Sequence, residues 1–333
     1  MADRKLRWGV LSTANIGRAA VNPAIQASSN GELAAVGSRS PESAAAFAKA
    51  HGIPRSHGSY EALLDDPEID ALYIPLPNSL HREWTLKAVE KKKHVLCEKP
   101  LAVTAADCRE MHAAAEANGV KLMEAFMYRF HPRTVMALSL AQSGTIGELR
   151  AIRSVFTFRL TKPENIRLNA ALAGGSLMDV GCYCVNLSRS VAGREPVEAQ
   201  AFATFGPSGV DVQLAGSLRF ENGVVAQVES ALTIERRQSY EIAGSEATLV
   251  AENAFVPGTD AAVVVERRGK EPELCHEIAG ADQYLRMVEH FADCALHDRP
   301  LRYTALEAAH NMAAIEALYA SARTGGKPVA LAR

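Results

Sequence analysis

Asp179 and Tyr183 stand four residues apart in a run, residues 177–191, whose apolar spacing predicts a helix, so a carboxylate and a phenol share one face. Two chemistries suit such a pair. The commoner is a structural hydrogen bond, and the other is proton transfer at a substrate oxygen. Far earlier, Ser12-Thr13-Ala14-Asn15-Ile16-Gly17 separates a short apolar run from a helical one. In that arrangement the free N–H groups at a helix N-terminus can hold a phosphate. Measured against G-x-G-x-x-G, positions 12, 14 and 17 are Ser, Ala and Gly, and Gly9 lies inside the preceding apolar run. Taken alone, small residues here also mark an ordinary strand-to-helix turn. A second apolar run, residues 33–36, ends at Gly37-Ser38-Arg39. NAD enzymes place an acidic residue at this point to hold the adenosine 2′-hydroxyl, whereas hydroxyls and a guanidinium suit a 2′-phosphate. Ser38 and Arg39 therefore point to NADP over NAD, with a surface arginine after a strand as the bland alternative.

The elements that must position these residues alternate. Apolar runs at 6–11, 33–36, 69–76, 94–97 and 120–125 are each followed or preceded by a helical stretch. Ser40-Pro41 supplies an N-cap with proline in the first turn, Thr104 and Asp107 form a capping-box pattern, and Gly119 stops the helix they open. Pro23 predicts a break or kink in the first helix after about two turns. The alternation predicts an α/β Rossmann domain over residues 1–125, with a parallel, doubly wound sheet. Ligands of such sheets sit beyond the carboxyl ends of the strands, where residues 12–17, Ser38-Arg39, Pro77-Asn78 and Glu98-Lys99 all fall.

From about residue 149 the pattern changes to longer alternating runs, with Ile152, Phe156, Phe158 and Leu160 on one side of a strand. Asn222-Gly223 reads as a hairpin turn of type I′, with positive φ at both residues, and Gly244-Ser245 turns another strand pair. The expectation for residues 126–333 is an α+β domain built on an open, mostly antiparallel sheet for substrate binding and self-association. Two last helices, residues 284–296 and 305–322, are expected to pack back on the first domain.

A chain of 333 residues with 48% hydrophobic and 22% charged residues is long enough for two globular cores. Its net charge of −2 predicts no nucleic-acid partner, and Lys91-Lys92-Lys93 reads as a solvated helix end. The six cysteines lack CxxC spacing, which suits reduced thiols in the cytoplasm. Cys182 and Cys184 would point in different directions on a helix, so no metal site is expected. Residues 1–5 carry no apolar leader, and no run of about 18 apolar residues predicts a membrane span.

Five stretches occur in one order and spacing: Trp8-Gly9-Val10-Leu11-Ser12-Thr13-Ala14-Asn15-Ile16-Gly17; Pro77-Asn78 with His81; Glu98-Lys99-Pro100-Leu101; residues 123–132, which run from Met123 to Pro132; and Gly174-Gly175-Ser176-Leu177-Met178-Asp179-Val180-Gly181-Cys182-Tyr183. Together they resemble the glucose-fructose oxidoreductase and inositol dehydrogenase (Gfo/Idh/MocA) family. Tyr183 stands where many relatives have histidine, which is similar to the branch of NADP-dependent xylose dehydrogenase and dimeric dihydrodiol dehydrogenase. The chain departs from the common pattern at Ser12 and Ala14, where glycines are frequent.

The resemblance implies a nicotinamide cofactor between a Rossmann domain and a sheet domain. It places Ser12, Thr13, Ala14, Asn15, Ile16, Gly17, Ser38, Arg39, Leu76, Pro77, Asn78, His81, Glu98 and Lys99 on the cofactor. Arg129, Arg167, Asp179 and Tyr183 fall on the substrate side, with a structural salt bridge an equal alternative for both arginines. Lys99 would contact the reacting hydroxyl or carbonyl. A free tyrosine of pKa ~10 is a poor base, so the implied chemistry has Tyr183 as acid/base, Lys99 as its electrostatic partner and Asp179 orienting a hydroxyl. Expected substrates are an aldose oxidised at its anomeric carbon, or a related polyol or keto-sugar. A trans-dihydrodiol enzyme and a non-catalytic NADP-binding regulator are the alternatives, and a homodimer or homotetramer is the expected assembly.

Overall fold

The computed structural model describes residues 4–331; the first three of residues 1–5, expected to carry no apolar leader, lie outside the described residues. The chain divides into two compact units. One holds the residues up to Met127 together with Asp282–Ala309, and the other holds Tyr128–Ala281 and the chain from His310 onward.

In the first unit six strands, β1 (Leu6–Leu11), β2 (Gly31–Gly37), β3 (Arg55–His57), β4 (Ala71–Ile74), β5 (His94–Cys97) and β6 (Leu122–Glu124), pair in the order β3-β2-β1-β4-β5-β6. Every pair is parallel. This is the doubly wound order in which the chain crosses back after β3 to place β4 on the other side of β1, leaving a crevice at the carboxyl edge between β1 and β4. The intervening helices are α1 (Asn22–Ala27), α2 (Pro41–Ala50), α3 (Tyr60–Leu64), α4 (His81–Glu90) and α5 (Ala105–Asn118). Their ends follow the sequence. Ser40 Oγ accepts the Ser43 N–H, Thr104 Oγ1 accepts the Asp107 N–H, and Gly119 closes α5 in the left-handed region at φ +66°. The break expected at Pro23 takes a specific form. Residues Gly17–Val21 form a π turn whose closing bond runs from Asn22 N to Gly17 O, and α1 starts with Pro23 in its first turn. Proline has no N–H for the preceding turn and its ring would strike a carbonyl there, so the widened turn accommodates both.

The second unit carries a nine-stranded sheet. Its strands are β7 (Leu149–Arg159), β8 (Pro196–Phe205), β9 (Asp211–Phe220), β10 (Val225–Ala231), β11 (Thr233–Gly244), β12 (Thr248–Glu252), β13 (Ala262–Arg267), β14 (Leu274–Ile278) and β15 (Val329–Ala330). The order is β14-β13-β12-β11-β7-β10-β9-β8-β15, antiparallel throughout except for β10 beside β7. Helix α6 (Pro132–Gln142), unread in the sequence, is capped by His131, whose imidazole accepts the Arg133 N–H; Pro132 in its first turn was the signal. Helix α7 (Cys182–Ala192) packs on β7 and β10 with every residue but Ser190 and Ala192 buried. The stretch Ala170–Ala192, with mean hydropathy 1.2, has the length and composition of a membrane span, yet it is broken into 3-10, π and α turns and is 67% buried in the protein. It is a core helix. The hairpin at residues 221–223 corrects the type I′ expectation. Gly223 alone takes positive φ, at +84°, and Phe220 pairs with Val224, so three residues form the loop.

The last two helices are α8 (Gln283–His297) and α9 (Ala305–Arg323). Within the first unit α8 lies against β1, β2 and α1. There the fully buried Trp8 ring meets Phe291 at 5.2 Å, and Glu289 accepts both the N–H and the hydroxyl of Ser29. Asp282 caps α8 by accepting the N–H groups of Tyr284 and Leu285 at 2.8 and 3.1 Å. Replacing Asp282 with alanine should lower unfolding free energy by about 1 kcal/mol, read from the denaturation midpoint at unchanged slope.

Candidate active site

Parallel strands deliver their carboxyl-end turns to one edge, and in the first unit hydrogen bonds stitch those turns together. After β1, Ser12 adopts φ +119°, a backbone conformation that favours glycine. Its N–H donates to Gly37 O at 2.9 Å, while its hydroxyl accepts the Ala14 N–H at 3.2 Å and lies 3.4 Å from Pro75 O. Those local bonds are what a serine offers here in exchange for the strained backbone. The helix begins at Asn15, so the N–H groups of its first turn face the end of β1. Gly17 is buried, and a Cβ there would come 3.4 Å from the Asn22 amide oxygen and 3.7 Å from the Tyr73 ring. At the end of β2, Ser38 is buried and Arg39 exposed, its charge pulling the Tyr60 phenol down against the larger upward push of burial.

Two further turns complete this edge. Leu76, Pro77 and Asn78 follow β4, and Glu98 and Lys99 follow β5, both half-buried. The His81 ring, 0% exposed, lies between them with Nε2 2.8 Å from Leu76 O and Nδ1 2.9 Å from Pro100 O. Burial pushes its pKa below the ordinary value, opposed by the two carbonyls. Each ring nitrogen thus faces a main-chain carbonyl, and the single N–H of a neutral imidazole donates to one of them, which makes His81 a brace between the two turns. Glu98 is held in a defined orientation. Tyr73, at the heart of β4, donates its hydroxyl to Glu98 Oε1 at 2.7 Å, and the Lys99 N–H donates to Oε2 at 3.3 Å.

In the second unit the other set gathers on the segment leading into α7. Residues Leu177–Gly181 form a second π turn, closed from Cys182 N to Leu177 O, so the helix expected over 177–191 opens with a wider turn than its spacing implied. Asp179 lies on that turn and accepts from Arg167 Nε at 2.6 Å, and the Arg167 guanidinium stands over the Phe158 ring at 5.8 Å. Tyr183 is the second residue of α7, 4% exposed. Three rings hold its own, Tyr128, Phe156 and Phe255, with centroids at 5.6, 5.5 and 5.4 Å. Arg129 is half-buried in the 3-10 turn Met127–Phe130. Cys182 and Cys184 donate to different carbonyls, of Asp179 and Glu229, and burial pushes the Cys184 thiol up to about 12.

The anchor of this segment was invisible in the sequence. Asp211, 1% exposed at the start of β9, accepts from Ser176 Oγ at 2.5 Å and Leu177 N at 2.8 Å through Oδ2, and from the Tyr319 hydroxyl at 2.6 Å through Oδ1. Gly175, at φ +120°, makes room for it, since a Cβ would fall 2.2 Å from Asp211 Oδ1. Burial raises the Asp211 carboxyl above the usual carboxylate range in spite of these donors. No local motif joins Asp211 to Ser176 or Tyr319, and only the tertiary fold brings them together.

A parallel sheet with this turn geometry at its carboxyl edge, followed by this open sheet, defines a two-part oxidoreductase. Residues 6–126 match the GFO_IDH_MocA oxidoreductase family with its NAD-binding Rossmann fold, and residues 135–250 match the GFO/IDH/MocA C-terminal domain. The chain belongs to the GFO/IDH/MocA family. It is 40% identical over 321 residues to D-xylose 1-dehydrogenase (NADP(+)) 2 of Haloferax volcanii, covering 96% of this chain and 98% of that one. Among solved structures it is similar to aldose-aldose oxidoreductase from Caulobacter crescentus, with TM-score 0.90 and 31% identity over 98% of this chain and 100% of that one. It is also similar to KijD10, a 3-ketoreductase from Actinomadura kijaniata seen with NADP, with TM-score 0.91 and 28% identity over 96% and 98%.

Removing the Asp211 carboxylate strands the Leu177 N–H and the Tyr319 hydroxyl in a dry site, each costing about 1–3 kcal/mol, while the Ser176 hydroxyl keeps Ser230 as a partner at 2.9 Å. Asp211→Ala should therefore destabilise the protein by about 2 kcal/mol or more, and Tyr319→Phe by about 1 kcal/mol, measured by chemical denaturation.

Proposed function

We propose that the protein is an NADP-dependent dehydrogenase of aldoses or closely related polyols and keto-sugars, with Lys99 and Tyr183 as its proton-handling pair. The observation that carries the reading is Tyr183: a phenol held in a box of three rings, one turn beyond an ion-paired Asp179, on a helix whose N-terminus a buried carboxylate fixes. The near full-length likeness to a D-xylose 1-dehydrogenase (NADP(+)) supports it. The residues present fit the cofactor. The first turn of the helix at Asn15 would take the pyrophosphate, and the exposed Arg39 with Ser38 would take the 2′-phosphate, no acidic residue standing at the end of β2. NADP is accordingly favoured over NAD.

When bound, the nicotinamide exchanges hydride with the carbinol carbon. Tyr183 takes the proton of the reacting hydroxyl in the oxidising direction and returns it in the reducing one. Lys99 supplies the positive charge that makes a phenolate accessible and anchors the same oxygen. Asp179, oriented by Arg167, accepts a neighbouring hydroxyl of the substrate, with Arg129 and Arg167 as the other substrate-side residues. His81 serves the cofactor through the two turns it braces. We assign substrate binding and self-association to the second domain, as a homodimer or homotetramer through the outer face of its sheet. That face carries a shallow depression of about 720 Å³ lined by Arg153, Gln200, Gln227, Glu241 and Arg267, beside a 65% exposed Phe202. The free thiols, five of the six buried, suit the cytoplasm.

Absorbance at 340 nm with NADP⁺ or NAD⁺ across aldoses, polyols and trans-dihydrodiols tests the reading. NADPH formation with an aldose, weaker with NAD⁺, is expected; a response confined to dihydrodiols would move the substrate class. Cofactor binding with no turnover in either direction would make the chain a regulator. Tyr183→Phe should lower kcat by ~10²-fold or more with cofactor affinity nearly unchanged, and full turnover in that variant removes Tyr183 from the role. Arg39→Ala should weaken NADP⁺ binding about tenfold while leaving NAD⁺ within twofold, as titrated by fluorescence.

A further inference from the structure

The Glu98-Lys99 turn places opposite charges on neighbouring residues at the edge of the nicotinamide half of the sheet, and the glutamate is held in a defined orientation. Both of its oxygens accept: Oε1 from the Tyr73 hydroxyl at 2.7 Å and Oε2 from the Lys99 N–H at 3.3 Å. A donor on each oxygen favours the charged form of a carboxylate. Tyr73 is fully buried, and burial followed by the Glu98 charge drives its phenol well above the ordinary value, so it stays protonated and keeps donating. Tyr284, half-buried near the start of α8, is pushed up by the same two causes in the same order, burial and then the Glu98 charge. The Tyr73 ring also backs Gly17, so one side chain supports both the phosphate turn and the carboxylate.

Strand β5 belongs to the second mononucleotide half of a doubly wound sheet, the half that takes the nicotinamide end. The two redox forms of that ring differ by one positive charge and share every phosphate. We propose that Glu98, fixed by Tyr73, sets the relative affinity for the two redox forms: its charge offsets that of Lys99 and favours the cationic, oxidised ring over the neutral, reduced one. The inference rests on the assignment of NADP to this edge, and the ratio of two dissociation constants separates its failure from failure of that assignment. Disruption of the site as a whole weakens both forms together, whereas a charge beside the ring moves only the ratio.

The test is fluorescence titration of the full-length protein with NADP⁺ and with NADPH. Glu98→Gln should raise Kd(NADP⁺)/Kd(NADPH) about tenfold, equivalent to about 30 mV in the potential of the bound two-electron couple. Lys99→Met should move the same ratio the opposite way, and Tyr73→Phe should move it in the Glu98→Gln direction by a smaller factor. A ratio unchanged within twofold in Glu98→Gln overturns the proposal, as does a shift of the same sign in Lys99→Met. Should Glu98→Gln fail to fold, the opposed shifts of Lys99→Met and Tyr73→Phe decide it. Binding of neither form by the wild type would instead sink the NADP assignment.

Discussion

The Asp211 carboxylate is the interaction on which the placement of the segment carrying Asp179 and Tyr183 depends. A helix N-terminus buried against a sheet exposes N–H groups that water cannot reach, and each costs free energy unless something accepts it. Asp211 accepts the Leu177 N–H and the Ser176 hydroxyl with one oxygen and the Tyr319 hydroxyl with the other. Its own desolvation is offset only because all three donors converge, and they converge only because Gly175 has no side chain in the way. From that point the π turn, Asp179 and Tyr183 follow in fixed order. The rings of Tyr128, Phe156 and Phe255 then hold the Tyr183 side chain against sideways movement. Preorganisation of this kind suits proton transfer, in which a group displaced by an ångström loses much of its effect.

The first domain solves a different problem with the same economy. Its carboxyl-edge turns have no element of their own to rigidify them, so side chains behind the edge do so. His81 lies between the Leu76 and Pro100 carbonyls, Tyr73 holds Glu98, and Glu124, buried in β6, accepts the Leu101 N–H at 2.8 Å. None of the three is a surface group. Each takes a backbone or carboxylate atom that would otherwise drift and fixes it from the inside.

What the sequence disclosed and what it withheld follow from the range of the interactions. Strand and helix alternation, the caps at Ser40 and Thr104 and the stop at Gly119 are local, and each was legible from a few neighbouring residues. Helix α6 was as local and went unread, because its cap is a histidine. The backbone of Ser12 was hidden for another reason: a positive φ is inferred from glycine, and here serine adopts it with help from its own hydroxyl. Asp211 and Tyr319 could not be found at all, being 108 residues apart and joined only by packing.

The two π turns show why spacing alone could not finish the site. A four-residue interval puts two side chains on one face only if the helix keeps its ordinary pitch. At Gly17–Val21 and again at Leu177–Gly181 it does not, and both segments carry residues expected to meet cofactor or substrate. The first widening has an evident cause in Pro23. The second contains no proline; there the turn between the Asp211 anchor and α7 holds one residue more than a regular helix would place in it. That extra residue moves Asp179 relative to Tyr183, and Arg167 takes up Asp179 in its shifted position. Each segment thus pairs a widened turn with an anchor from elsewhere in its own unit, Ser12 being tied to β2 and Leu177 to β9. A π turn in an otherwise regular helix is costly unless tertiary contacts hold it, so its occurrence beside an anchor in both halves is what a site built for placement, rather than for helix stability, requires.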